Sequence, residues 1–296
     1  MGLNLPIILG ATVILLPTFE AEETYQRLVK EKPTFMAGVP AMYTALYRAS
    51  PVVVANPLPL KACLSSLAPL TETTQHGFAS LIAGFLLEGY GSAETAGLAL
   101  ATPLETEHPL EAGSVGLPLP NVEARVVDLA TGADLSPGQI GELWLKGPQV
   151  TPGYWSAQGS STPPSGDGWL RTGDLASRDS HGYVRLMGRK ADLIRVGDTW
   201  VFPAEVEKAL ADHEQVWEVA VVGLPTAAGR PKIKAFVVLY PGAQLSQEDL
   251  LQLARQYLKP EAVPAEIEFC ETLPKKSFAG KILKRALTTE ATPTPA

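Results

Sequence analysis

The chain has 296 residues, 46% of them hydrophobic and 19% charged, with a formal net charge of -7. That length accommodates two domains, and that balance is ordinary for a folded globular protein, so a disorder-dominated chain is excluded. The acidic surplus and the scatter of Lys and Arg also exclude a broad nucleic-acid surface, because phosphate-backbone binding needs clustered cations.

The two cysteines, Cys63 and Cys270, lie in apolar contexts (KACLSSL and IEFCETL). They offer neither metal-ligand spacing nor a disulfide framework, and a reducing cytoplasm is the expected location. Four scattered histidines, His76, His108, His181 and His213, likewise lack ligand spacing. Residues 7–16 form an apolar run between Pro6 and Pro17. It is about half the roughly 20 residues that span a bilayer, so no transmembrane segment is expected. No basic residue precedes it, unlike a signal peptide.

In chain order, residues 7–16 read as a fully buried strand of a parallel sheet. A buried-strand pattern so near the first residue suggests a chain that begins mid-domain. Residues 20–32 follow as a helix with Tyr25, Leu28 and Val29 on one face. Residues 35–39 are a second strand, and Pro40 opens a helix carrying Met42, Tyr43, Leu46 and Tyr47. Strand, helix, strand, helix is an α/β layer. A further strand over 60–67, a helix over 72–82 and a strand over 85–88 lead to GYGSAETAG at residues 89–97. Ligands collect at the carboxyl ends of strands in open α/β sheets, so a pocket is expected at the turns after 67 and 88.

From residue 99 the texture changes to short β runs with turn residues, suited to a small barrel or sandwich. Residues 156–167, rich in Ser, Pro and Gly, read as a flexible loop leading into GWLRTGDLA at 168–176. The junction GRKADLIRVGDTWVFPAEVE at 188–207 then packs Arg189, Lys190 and Arg195 with Asp192, Asp198 and Gly197 before a helix that starts at Pro203. Beyond it are a helix over 203–213 with Val206, Ala209 and Leu210 inward, strands over 219–223 and 235–239, and a helix capped by Ser246 with Asp249 behind it. A strand over 266–269, the basic segment LPKKSFAGKILKRAL at 273–287 and a Thr/Pro tail at 288–296, expected to be disordered, complete the chain.

The junction, GYGSAETAG, GWLRTGDLA and the C-terminal basic segment are each what a solvated turn also offers. In this order they resemble the motifs of the adenylate-forming enzymes, the superfamily of acyl-CoA synthetases, peptide-synthetase adenylation domains and luciferases. GSVGLPLPNVEARVVD (113–128) and GELWLKGPQVTPGYW (141–155) are similar to the acyl-CoA synthetase branch. The resemblance implies an α/β fold: a remnant α/β sheet layer plus a small β-barrel or sandwich, followed by a small α+β C-terminal domain. Residues 1–187 would be the C-terminal part of the large adenylation domain (α/β 1–98, β-rich 99–187), 188–287 a mobile lid and 288–296 a tail.

The implied reaction is attack of a fatty acid carboxylate on the α-phosphate of ATP, then thioester formation with coenzyme A. It needs several negative charges neutralised and two oxygens aligned. The resemblance makes Tyr90, with Gly91 and Ser92, the adenine platform and Glu94 the Mg²⁺ ligand. Asp174 would bind the ribose hydroxyls, since a carboxylate accepts two hydrogen bonds at once. Arg189 would also reach the ribose, Ala191 would be the hinge of a lid rotation, and Lys281 the cation at the reacting centre. The implied cofactors are ATP/AMP, Mg²⁺ and coenzyme A.

Departures accompany the match. Ala93 stands where the family has a phosphate-binding Thr, and Asp198 where it has a glycine beside the pantetheine channel. Ser66 and Leu67 replace small glycines and are expected to narrow the pocket, and the Pro274 to Lys281 spacing is slightly long. The resemblance reaches Leu287 but covers only about the C-terminal half of the family, without the Ser/Thr/Gly-rich phosphate loop whose N–H groups bind anions. The expectation is a truncated fatty acyl-CoA ligase, weakly active or inactive alone. The alternatives are a non-catalytic AMP-binding or interaction module, or one half of a two-chain ligase. A protein partner or a homo-oligomer would then cover an exposed sheet layer.

Overall fold

The computed structural model describes residues 4–50, 57–68, 70, 72–104, 113–157, 159, 161–162, 167–226, 229–275 and 282–290. The chain divides into two compact units, residues 1–172 with 176–186, and residues 173–175 with 187–296. Mixed α/β architecture, as read from the sequence, holds in both.

The first unit runs α1 (Asn4–Ile8), α2 (Ala21–Glu31), β1 (Phe35–Gly38), α3 (Pro40–Ala49), β2 (Ala62–Ser65), α4 (Glu72–Ala79) and β3 (Phe85–Ser92). It continues through β4 (Gly97–Ala101), β5 (Ser114–Pro118), β6 (Glu123–Val127), β7 (Ile140–Lys146), β8 (Tyr154–Trp155), β9 (Ser161–Thr162), β10 (Leu170–Arg178) and β11 (Val184–Arg189), with residues 173–175 of β10 and 187–189 of β11 counting with the second unit. A nine-stranded sheet takes the order β1-β2-β3-β4-β5-β11-β10-β7-β6. Its first three strands are parallel, and β3–β4, β4–β5 and β6–β7 are antiparallel.

Helices cover the parallel end. Pro40, whose missing N–H costs nothing in a first turn, starts α3. The helix then buries Tyr43 and Leu46 against Tyr25, Leu28, Cys63 and Phe78. Tyr43 also satisfies its hydroxyl by donating to the Leu64 carbonyl at 2.9 Å. A second cluster, with Leu100, Val126, Leu143, Leu145, Leu170 and Val184, packs the antiparallel end. The β-rich stretch therefore extends the sheet, and no closed barrel forms among the described residues.

Residues 7–16 correct the sequence reading. Ile7 and Ile8 end α1, no strand follows, and Ile8 (80%), Leu9 (71%) and Leu15 (74%) are exposed. A strand needs a neighbour to take its N–H and C=O groups, and β1 pairs only with β2 among the described strands. Val29, expected on the apolar face of its helix, is exposed, and so is Tyr47 of α3, so the buried stripes of α2 and α3 are narrow. Within residues 156–167, expected as a loop, β9 pairs antiparallel with β8, and residues 158, 160 and 163–166 lie outside the described residues.

The second unit holds β12 (Ile194–Val196), β13 (Thr199–Val201), α5 (Pro203–Ala211), β14 (Val216–Leu224), β15 (Lys232–Leu239), α6 (Gln247–Tyr257), β16 (Glu266–Phe269) and α7 (Lys284–Glu290). In the sheet β14-β15-β16, β14 and β15 are buried on both faces. Val219, Val221, Ala235 and Val237 pack with Val206, Leu210 and Leu250 of α5 and α6. Ala220, Val222, Phe236 and Val238 pack with Leu273 and Leu287. Burial on both faces explains why these strands run longer than alternation suggested.

Ser246 caps α6 as read, its hydroxyl accepting the Asp249 N–H at 3.2 Å while Asp249 accepts the Ser246 N–H at 3.1 Å. The tail reading needs correcting at its start. Leu287 is buried and α7 continues to Glu290, so Thr288 is helical, and residues 291–296 lie outside the described residues. Both cysteines are free. No helix among the described residues is long and apolar enough to cross a membrane.

Candidate functional site

The first unit presents its candidate residues where β3 turns back into β4. Gly91 is required there, because a Cβ would lie 1.8 Å from the Gly97 carbonyl oxygen. The short turn Ala93–Thr95 follows. Buried Thr95 holds it, its Oγ1 accepting the Ser92 N–H at 2.9 Å and donating to the Gly97 carbonyl at 2.6 Å. This leaves Tyr90 half-buried on the strand and Glu94 half-buried on the turn.

Glu94 is held from two sides. Its carbonyl accepts the Thr151 N–H at 2.7 Å, and its Oε1 accepts the Tyr154 hydroxyl at 3.1 Å. Burial, then the bond to Glu94, raises the Tyr154 pKa, so the phenol remains a donor at neutral pH. Among the described residues no group of three His, Cys, Asp or Glu side chains is placed to cage a metal. One carboxylate with room for water and phosphate oxygens is the donor set that suits Mg²⁺.

The turn after β2 is unusual. Leu67, where the resembling family has glycine, takes φ 76° and leaves its side chain 58% exposed. A bulky residue has therefore been placed on a glycine-like backbone, which is strained.

The second unit brings Asp174 and Arg189 together. Asp174 is 8% exposed, and Arg189 Nε donates to its Oδ1 at 2.9 Å, a charge-assisted bond. Ala191 lies in the single 3₁₀ turn Lys190–Asp192 that follows. Asp198 sits at the tip of the β12–β13 hairpin beside Gly197, with Arg195 3.9 Å away. Lys281 lies outside the described residues. On either side of it Lys275 pairs with Glu218 at 2.6 Å and Lys284 with Glu207 at 2.6 Å.

Three residues escaped the sequence reading. Tyr154 stood in PGYW without a role, Thr95 only as a neighbour of Glu94, and Glu88 as the end of a strand. Glu88 is 6% exposed, and burial, only partly offset by the Leu70 N–H, pushes its carboxyl up to about 7. Its place after an apolar run, just before the glycines of the turn, was the available signal.

Comparison with known proteins follows this geometry. Residues 1–155 match the model of the AMP-binding enzyme family, and residues 205–279 that of the AMP-binding enzyme C-terminal domain. A long-chain-fatty-acid–CoA ligase of Bacillus subtilis is 37% identical over 98% of this chain and 51% of its own length. The ATP-bound MatB structure from Rhodopseudomonas palustris superposes with a TM-score of 0.86 at 30% identity, over 97% of this chain and 56% of that one. AMP-bound MenE of Bacillus subtilis gives 0.81 at 25% identity, over 95% and 56%. The chain thus spans about half the length of the curated relatives it matches. It belongs to the AMP-binding enzyme family, the adenylate-forming superfamily, on its acyl-CoA ligase branch.

Proposed function

We propose that this chain supplies the adenosine side and the lid of an ATP-dependent fatty acyl-CoA ligase. In this reading Tyr90, with Gly91 and Ser92, stacks adenine, and Asp174 and Arg189 hold the ribose. Glu94 holds Mg²⁺, which when bound neutralises phosphate charge, and Lys281 stabilises charge at the reacting centre. Coenzyme A and a fatty acid are the co-substrates, and the cytoplasm is the compartment. The observation that carries the reading most is the Asp174–Arg189 pair, a nearly buried carboxylate oriented by an arginine at 2.9 Å. An ionised carboxylate accepts more than one hydrogen bond, as a two-hydroxyl ligand requires.

Turnover by these 296 residues alone is proposed to be slight, because no stretch of them reads as the Ser/Thr/Gly-rich phosphate loop. Pyrophosphate release from MgATP with a panel of fatty acids, with and without coenzyme A, tests this alongside AMP binding. AMP binding with little release supports the proposal. Fatty-acid-dependent release abolished by Lys281→Ala overturns the weak-activity part, and a folded chain that does not bind AMP overturns the nucleotide reading. A second reading, one chain of a two-chain ligase, is favoured by the exposed Leu5, Ile7, Ile8, Leu9, Leu15 and Phe35. A complementing chain that restores release and protects these residues from labelling would establish it.

A further inference from the structure

Two polar side chains are enclosed between β2, β3 and the helices above them. In the parallel register Ser65 lies opposite Glu88, and Cys63 opposite Leu86. Alternation along each strand puts all four on one face. It is the face covered by α3 and α4, since Cys63 and Leu86 pack with Tyr43 and Phe78. Ser65 is 1% exposed and its hydroxyl has no hydrogen-bond partner. Glu88 has the Leu70 N–H, donated to Oε2 at 3.3 Å. That is long beside the ~2.7–2.9 Å of a charge-assisted bond.

Among its described residues, the loop after β2 is held near its two ends. It begins with the Ser66 N–H on the Gly38 carbonyl at 3.3 Å, passes through left-handed Leu67, and is caught again at Leu70 by Glu88. Glu88 precedes Tyr90 on the same strand, so the catch and the candidate adenine platform share one rigid element.

We propose that Glu88 is a proton-controlled tether. Ionised, its carboxylate draws in the Leu70 N–H and the Ser65 hydroxyl and fixes the loop after β2 beside the Tyr90 turn; protonated, it slackens that loop. Of the titratable groups on the surrounding elements, Cys63 of β2 and Tyr43 of α3 are buried on this face, whereas Tyr47 and Arg48 of α3 and His76 of α4 are exposed; Thr102 after β4 accepts the Glu88 N–H at 3.3 Å. Burial pushes Cys63 up to about 12 and also raises Tyr43, so both are neutral. No charged side chain contributes to the Glu88 shift, which burial and the Leu70 N–H explain. Proton uptake at Glu88 is thus the charge change that this buried pocket offers near neutral pH among the described residues.

Leucine-labelled protein tests the tether without any ligand, by following the Leu70 amide proton from about pH 5.5 to 8.5. In the wild type it moves downfield as pH rises, with a midpoint near 7, and in Glu88→Gln it stays flat. Ser65→Ala keeps the titration and raises its midpoint, because the ionised form loses a donor. A flat wild-type profile, or the same titration in Glu88→Gln, overturns the proposal. The link to the site rests on the nucleotide reading above and uses AMP as probe. AMP affinity falls several-fold as pH drops through the same midpoint in the wild type, and not in Glu88→Gln. A titrating Leu70 with pH-independent AMP affinity overturns the link. Absence of AMP binding at every pH overturns the nucleotide reading, while the amide titration still decides the tether.

Discussion

The parallel end of the first unit and the three-stranded sheet of the second are built from similar apolar sequence, yet they satisfy it differently. In the second unit β14 and β15 have apolar cover on both faces, and charges are paired, as where Lys234 meets Glu266 at 2.8 Å and Glu268 at 2.7 Å. At the parallel end Ile8, Leu9 and Leu15 face water, the Ser65 hydroxyl is unpartnered, and Glu88 is buried with a backbone N–H for company. Apolar content therefore does not make a strand or a core. A partner element does, and where it is lacking the same residues stay solvated.

Substitutions can break this contrast. The largest effect is expected from Leu250→Ala, which empties a fully buried position in the second unit. It should cost about 2–5 kcal/mol in denaturant unfolding of that unit. A comparable loss from changing Ile8 would erase the distinction.

Glu88→Gln should act in the opposite direction. Its folded pKa of about 7 lies above the ordinary 4.5. The native state therefore binds more protons between those values, and wild-type stability falls as pH rises through that window. Glutamine removes the cost of the buried charge, on the order of 3 kcal/mol near pH 8 and nothing near pH 4. Unfolding curves at the two pH values check this, and equal shifts at both would show that folding does not raise the carboxyl's pKa.

Asp174→Asn removes a charged partner without changing shape. Loss of a charge-assisted bond of about 1.5–3 kcal/mol should weaken AMP binding roughly tenfold to a hundredfold, measured by titration calorimetry. Unchanged affinity would leave the Asp174–Arg189 pair a structural ion pair. Ser246→Ala, which removes the α6 cap, should cost about 1 kcal/mol. Ile8→Ser should shift stability by less than about 0.5 kcal/mol while reducing self-association in light scattering.

Where pattern and partner are both local, the sequence was readable. Pro40 and Pro203 start helices, Ser246 and Asp249 cap α6, and the Gly91 turn follows β3. Each depends on groups within a turn of one another. The candidate site was legible as four motifs, because glycines, a strand end and charged residues recur in a fixed order. Two features were not legible. Residues 7–16 carry a strand's composition, but pairing requires another segment, so the run could not reveal its own exposure. The holds on Glu94 by Thr151 and Tyr154, and on Leu70 by Glu88, join residues far apart in the chain, and no spacing rule connects them.

The sequence by itself determined most of the local elements, which follow from backbone preference, apolar periodicity and short-range side-chain chemistry, and its motifs in order carried the resemblance to the family. Only the tertiary structure decided which apolar runs are covered, which hydroxyl is left without a partner and which carboxyl is held close to neutrality. Burial and solvation are set by what packs against a residue, and those neighbours come from distant parts of the chain.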